Sequence, residues 1–532
     1  MTVVFVATKP NNDISKEIDK FGKYQILQYI LVCLPLVTVS MAHVNYVFVA
    51  EEVDHRCLVP QCESADPEVT TPLWWPAELD KRCYKPVLNQ STYENNNYVC
   101  SRNTFQDNFE RCEEWVYAND NSIFSALNLG CQQWKTTMVG FMHNAGMIAS
   151  MVFTGWIGDK FGRKPTIIIC AMGGCIGALK IFIKNYYLYV TVEFLESLLE
   201  SGLYTVGVVL LIEDGGESKR VLAGVIFSYA VYLGEVLFAI LAMTLKFWKF
   251  LLLVVYTPMV FFLLYFFILR ESIRWQMLRG RMNEVKSTLK RIVQMNKIDT
   301  TSEEIDAMTD EDIRSAFNVT LQKESEKFKD IIQSKEIMTR LAVTCVCFFT
   351  SSFLYYGLVV NSVLLPGNKY VNFILAALTA FPGDLIAYFA FHKLGRKISL
   401  QCAYILTAMF LIAQTYTPLS LSWLKVLLFL LGKVCVVMCF TGIYTYALEL
   451  FPTSVRGSLF GFGNTVARIG GMLAPLTPLL VSTLNALPSI LFASTAIISA
   501  LLLTFTPETK TLPMFDTICQ VENHHKKITT HL

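Results

Sequence analysis

Charge is what this 532-residue chain has little of: only 17% of its residues are Asp, Glu, Lys or Arg. Ordinary soluble domains carry roughly 25%. With 53% hydrophobic residues and a mean hydropathy of +0.43, there is too little polar surface to cover a water-exposed fold, so the chain reads as an integral membrane protein. A net charge of +2, its cations spread along the chain, excludes the basic stripe that nucleic-acid binding requires. Also missing are a nucleophile elbow, a phosphate loop and metal-ligand spacing on a suitable loop, so neither an enzyme nor an ATP-driven pump is expected, and no cofactor is implied. The Asp214-Gly215-Gly216 run reads as a cytosolic turn. The first 24 residues lack the short apolar core and cleavage site of a signal peptide, which leaves the N-terminus expected in the cytosol.

What the chain has is long apolar runs. The first, from about 24 to 50, exceeds the roughly 20 residues that cross a bilayer. Five more fall near 137–157, 165–184, 187–212, 221–244 and 248–269. A charged stretch follows at 270–337, with the pattern of solvated amphipathic helices. Six further runs lie near 339–360, 370–391, 398–416, 423–447, 457–482 and 486–506. Twelve spans return both termini to one side. Short loops on that side carry Lys160, Arg163, Lys164, Lys219, Arg220, Lys393, Arg396, Lys397 and Arg456, and this excess makes it cytosolic.

The loop at 51–135 is then extracellular. It holds Cys57, Cys62, Cys83, Cys100, Cys112 and Cys131. Six cysteines in an oxidising compartment predict a disulfide-stapled cap, with the pairing left open. Zinc is the competing reading, but paired CxxC units are absent. Asn89-Gln90-Ser91 is a glycosylation sequon in this loop.

The stretch "GWIGDKFGRKP" (155–165) sits at the cytosolic end of the second span. Its glycines, Gly155, Gly158 and Gly162, suit close helix approach and a tight reversal, while Asp159 and Arg163 suit an ion pair that holds the turn. "FHKLGRKI" (391–398) repeats the pattern with Gly395 and Arg396, 233 residues after Gly162. The chain is therefore an internal duplication, and two six-helix bundles related by an axis along the membrane normal are the arrangement of the major facilitator superfamily.

The first motif resembles the cytosolic signature of that superfamily. Five other pieces are similar to its organic ion transporter family of cation, anion and carnitine carriers: "KYQILQYILVCLP", the six-cysteine loop, "RESIRWQMLRGR", "YALELFPTSVRG" and "TPETKTLP". Carried over by that resemblance, the gating residues are Asp159, Arg163, Glu213, Arg220, Glu271, Arg274, Glu449 and Arg456. A purely structural role at the cytosolic ends is the alternative for each.

Ionisable groups within the spans mark a pathway, a partner pair or a substrate counter-ion. Glu193, Glu196, Glu200 and Tyr204 fall at i, i+3, i+7 and i+11, one face of a helix. Glu193 and Glu196 read as its solvated outer end, and Glu200 as mid-membrane. Glu235, Asp384, Lys433 and Arg468 lie at comparable depth. For all five deep groups a buried ion pair and substrate contact both stand.

The resemblance divides over substrate. Arg468, Lys433 and Tyr355-Tyr356 look like the anion and carnitine branches, whereas Asp384 stands where anion carriers tend to have lysine. Glu193 departs from the superfamily's usual arginine. A substrate with both signs reconciles these, its ammonium facing Glu200 or Asp384 and its carboxylate facing Arg468, with Tyr355 and Tyr356 adding cation-π contact.

The expected organisation is an N-terminal bundle at 1–269 including the cap, a linker at 270–337, a C-terminal bundle at 338–510 and a tail at 511–532. The expected function is transport of organic cations or zwitterions across the plasma membrane by alternating access. An organic anion exchanger and a non-transporting receptor or scaffold are the alternatives. The expected partners are a small organic ion and the lipid bilayer.

Overall fold

Apolar runs of membrane length have no water to satisfy their peptide groups, so they close their hydrogen bonds internally as helices. The computed structural model describes residues 21–63, 67–89, 100–215, 220–298, 302–316, 328–452, 454–481, 484, 486–510, 515 and 517–523. In the first half, α1 is Lys23–His43, α2 Trp134–Phe161 and α3 Arg163–Gly173, which tightens to a 3₁₀ turn over Gly174–Phe182. Helix α4 runs as Tyr186–Glu200 and Gly202–Gly215, α5 is Arg220–Thr244, and α6 starts at Trp248–Tyr256 and continues through 3₁₀ turns to Ile268. In the second half, α7 is Lys335–Asn361, α8 Lys369–Leu378 with Ala380–Lys393, α9 Arg396–Tyr416, α10 Ser422–Leu450, α11 Arg456–Leu473 and α12 Leu487–Leu502.

The packing repeats with the sequence. Within the halves α1 lies on α5 as α7 lies on α11, α2 on α4 as α8 on α10, and α3 on α4 as α9 on α10. The halves meet where α2 packs on α11 and α5 on α8. Those two seams exchange when each helix is replaced by the one six later, so a pseudo-twofold relates the bundles. Ten of the helices are long and apolar enough to cross a membrane by composition alone. The remaining two are α2 and α11, and they face each other across a seam; their polar content is the reason they fall short.

The third span differs from the continuous helix predicted over 165–184. Gly174 and Gly177 let α3 approach its neighbours so closely that a Cβ at Gly174 would strike Met259 and Glu200, and one at Gly177 would strike Glu196 and Tyr256. This approach brings Lys180 among the glutamates of α4.

The loop between α1 and α2 forms the cap. Two antiparallel pairs build it: β1 (His55–Cys57) with β4 (Trp115–Tyr117), and β2 (Tyr84–Leu88) with β3 (Phe105–Arg111). Disulfides join Cys57 to Cys112, Cys62 to Cys100 and Cys83 to Cys131. Below them Arg56 is buried and forks onto Glu63 at 2.6 and 2.8 Å. Asn89 follows β2, half-buried, and the rest of its sequon lies outside the described residues.

On the opposite side the linker is not uniformly solvated. The helix Met282–Asn296 buries Val285, Leu289 and Ile292 against Met277 and Tyr24. Asn296 then accepts the Tyr24 backbone N–H at 2.9 Å and so caps the start of α1. One face packs, the other meets water.

Candidate functional site

Two turns between paired helices are built to the same plan. At Gly162 the backbone has φ +113°, a conformation open to glycine, and the next two backbone N–H groups, of Arg163 and Lys164, donate to Glu271 at 2.9 and 3.1 Å. At Gly395, with φ +99°, the N–H groups of Arg396 and Lys397 donate to Glu508 at 2.8 and 3.0 Å. Each carboxylate therefore caps the start of a helix, where orphan N–H groups and the helix dipole favour an anion. Arg163 reaches Glu213 at 3.3 Å and the Gly158 carbonyl at 2.9 Å. Arg396 reaches Glu449 at 3.0 Å and the Phe391 carbonyl at 3.4 Å, the same five residues back.

Several expectations change here. A Cβ at Gly155 would meet nothing within 4 Å, so this glycine is not the close-approach residue predicted; Gly158, against Val206, is. Arg274 is exposed and makes none of the turn's described bonds. Arg456 donates to the Phe451 carbonyl at 3.1 Å, while Glu449 is held by Arg396 and Thr509. The Arg220 side chain lies outside the described residues. Glu508, which sequence reasoning did not single out, is the counterpart of Glu271. Burial raises the Glu271 pKa above the usual glutamate range, against the backbone hydrogen bonds that lower it.

Midway along the helices, the first half buries a charged cluster. Glu193 and Glu196 are fully buried, not the solvated helix end predicted from their position. The reason is Lys180, also fully buried, which pairs with Glu193 at 2.7 Å and with Glu196. Tyr256 donates to Glu196 and accepts from Lys180 at 3.0 Å and from Asn45 at 2.6 Å. On its other side Glu193 accepts from His143 Nδ1 at 2.7 Å, and His143 Nε2 lies 2.7 Å from His43 Nδ1. Glu200, one turn deeper on the same face, is fully buried, and neither of its oxygens has a hydrogen-bond partner among the described residues.

The seam between the halves holds the other predicted groups. Tyr355 of α7 bridges it: its hydroxyl donates to Glu235 of α5 at 3.4 Å, and its carbonyl accepts from Lys433 of α10 at 2.8 Å. Lys433 Nζ also sits 3.5 Å from the centre of the Tyr355 ring, so a protein ammonium already covers that face where a substrate contact was predicted. Asp384 accepts from Thr441, and Arg468 donates to the Tyr356 hydroxyl at 3.3 Å. The Tyr356 and Tyr204 rings stand edge-on to His43, with centroids 6.3 and 5.6 Å away. Tyr204 also shares a hydrogen bond with Ser40.

The described contacts across the seam extend toward the cap side. There Glu51 pairs with Lys369, and Phe48 stacks on Tyr370 at 5.1 Å and packs on Phe373 at 5.2 Å. Both latch turns, by contrast, keep every bond named above within their own half. His43, His143, Lys180 and the Glu51–Lys369 pair were not anticipated from sequence. A lone lysine inside an apolar run was the available signal for Lys180.

Comparison with known proteins gives this geometry its context. The profile of the family described as "Sugar (and other) transporter" matches residues 80–517. An organic cation transporter protein of Drosophila melanogaster is 28% identical, over 97% of this chain and 95% of its own. Solute carrier family 22 member 1 of Bos taurus is 27% identical, over 97% and 93%, and member 6-A of Xenopus laevis 26% identical, over 95% and 92%. Among solved structures, a D-xylose-proton symporter and an inward-open xylose transporter of E. coli each superpose with a TM-score of 0.56 at 13% identity. Both alignments cover 94% of this chain, with 100% and 98% of the other.

Proposed function

The chain belongs to the sugar (and other) transporter family, and from that premise we propose that it carries organic cations or zwitterions through the seam by alternating access. The fold is that of the major facilitator transporters and not of an enzyme. Near full-length similarity to proteins named as organic cation transporters supports the substrate class. The observation that carries it is Asp384, which the seam leaves with a neutral threonine as its described hydrogen-bond partner and no described ion pair to displace. An entering ammonium supplies a counter-charge beside it.

Arg468, with only the Tyr356 hydroxyl as described side-chain partner, is the place for a substrate carboxylate. This favours zwitterions, and it is the observation behind the second reading, an organic anion exchanger. In the gating scheme, the turns at Gly162 and Gly395 keep each half rigid while the cap-side contacts, Glu51 with Lys369 and Phe48 with Tyr370, break and re-form. We place the chain in the plasma membrane with both termini cytosolic, the cap outside, and Asn89 glycosylated.

Uptake into cells expressing the full chain tests the proposal, with a radiolabelled quaternary amine, a zwitterion such as carnitine and an aromatic carboxylate compared side by side. Saturable amine or zwitterion uptake is expected. Arg468→Ala is expected to lower carboxylate-bearing uptake tenfold or more, a loss of about 1.4 kcal/mol, and simple amine uptake less. Carboxylate uptake alone transfers the assignment to the anion reading, and absence of all three at normal surface expression favours a receptor.

A further inference from the structure

Glu200 is the group that transport by the seam does not account for. It is fully buried on α4, and its two oxygens have no hydrogen-bond partner among the described residues. Its neighbourhood is already short of positive charge. Of the three carboxylates Glu193, Glu196 and Glu200, Lys180 pairs with the first two, which leaves Glu200 with no ion pair among the described residues. An uncompensated ion in such surroundings costs several kcal/mol.

One nitrogen from each of His43 and His143 and one oxygen of Glu200 lie within 4.8 Å of one another, and all three side chains are buried. We propose that these three residues form a binding site for a divalent transition metal of the zinc class. Two imidazole nitrogens and a carboxylate oxygen are a common three-protein-ligand set for zinc, with a fourth position open to water or another ligand. Two nitrogens disfavour calcium and magnesium, which take oxygen ligands. A bound cation also gives the Glu200 oxygens the partner they lack.

The hydrogen bonds around the histidines suit that role. An ionised Glu193 only accepts, so His143 Nδ1 carries the proton of the 2.7 Å bond and its Nε2 lone pair faces His43. This carboxylate-histidine arrangement orients metal-ligating imidazoles and raises their basicity. At present His43 Nδ1 donates to His143 Nε2 across 2.7 Å. With metal bound, His43 takes its other tautomer, and both lone pairs turn to the ion. Ligand atoms around tetrahedral zinc stand roughly 3.3 Å apart, so the imidazoles separate by about half an ångström and Glu200 draws in.

The site goes beyond the transport reading and withdraws Glu200 from substrate contact. Its test does not use transport, so the two readings fail separately. The full-length protein, purified in detergent, is stripped with chelator, exposed to zinc at micromolar concentration, desalted and analysed for metal content. The expected result is one zinc retained per chain, and cobalt in its place giving the visible absorption of a four-coordinate site. His143→Gln and Glu200→Gln are each expected to abolish retention. Glu193→Gln, which alters the support and not a ligand, is expected to weaken it ten- to a hundredfold. Replacing His524, His525 and His531 of the tail by Asn controls for surface binding and is expected to change nothing. If either ligand variant fails to fold, the cobalt spectrum of the unaltered protein decides. Zinc retention equal in the unaltered protein and Glu200→Gln overturns the site, as does a cobalt spectrum of six-coordinate or thiolate type.

Discussion

The turns at Gly162 and Gly395 are two copies of one device, and they differ in an exposed acid and in what is attached to it. Both place a glycine at positive φ, both cap the next helix with a carboxylate from a distant segment, and both send an arginine to an acid near the end of the helix after that and to a carbonyl five residues back. Even the following turn matches, Thr166 donating to the Gly162 carbonyl and Ser399 to the Gly395 carbonyl, each at 2.6 Å. Four residues before the arginine, however, the first copy has Asp159, paired with Arg163 at 3.0 Å, and the second has His392. The first is also tied to the linker, because Trp275 and Arg279 donate to the Asp159 carbonyl at 2.8 and 2.7 Å. What is repeated is the capped glycine turn; what varies is the exposed acid and its attachment.

The largest effect is expected from the shared part. Gly162→Ala and Gly395→Ala both force a side chain into a glycine-only conformation, at a cost of roughly 1–3 kcal/mol. A Cβ at 395 would come within 2.7 Å of Glu508, and one at 162 still closer to Glu271. Gly162→Ala is thus expected to lower the midpoint of thermal unfolding in detergent more than Gly395→Ala. Equal losses would show that the carboxylates move aside and leave backbone strain as the whole effect.

Next come the caps. Glu271→Gln and Glu508→Gln each replace a carboxylate that accepts three backbone N–H groups, two of them from the start of the capped helix, and each is expected to cost about 1–2 kcal/mol by the same measurement. Since the bond lengths match, the losses are expected to match. A clearly larger loss at 271 would assign the difference to the linker docked beside it.

A smaller effect distinguishes the copies by pH. Because Glu271 holds its proton more tightly in the folded chain than in the unfolded one, it contributes stability at acid pH. That contribution is lost as pH rises from the ordinary glutamate range through the raised value. The slope of stability against pH just above the ordinary glutamate range is expected to flatten in Glu271→Gln. An unchanged slope would assign it to other groups.

Smallest is the exposed acid. Asp159 is 77% exposed, and pairs of this kind contribute about 0.5 kcal/mol or less. Asp159→Asn is expected to leave unfolding nearly unchanged, so a marked fall in uptake turnover would mark the acid as a gating group. His392→Asp makes the second turn like the first, and its effect on turnover tests whether the asymmetry is functional.

Much of this was legible beforehand, for identifiable reasons. Span number, the duplication, the cap and the family all follow from runs and motifs whose signal is local. The charged residues of the seam were likewise named from their depth. Partners were the illegible part. Glu193 and Glu196 look solvated on helix position alone, and only the close approach of α3 brings Lys180 to them. Glu508 resembles a tail residue until the turn at Gly395 folds onto it, and His43 and His143, a hundred residues apart, meet through side chains that only the tertiary fold brings together. The linker's attachment at Asn296 was hidden in the same way, since a cap across more than 270 residues leaves no spacing to read.

The wiring of the extracellular cap bears on how the chain is made. Cys62–Cys100 nests inside Cys57–Cys112, and Cys83–Cys131 crosses both. The nested pair can close on the emerging loop, but the crossing bridge waits for Cys131, three residues before α2 begins. Oxidation of the cap therefore cannot be completed before the chain has been made up to the threshold of its second helix, and a chain cut short of that point would hold at most the nested pair.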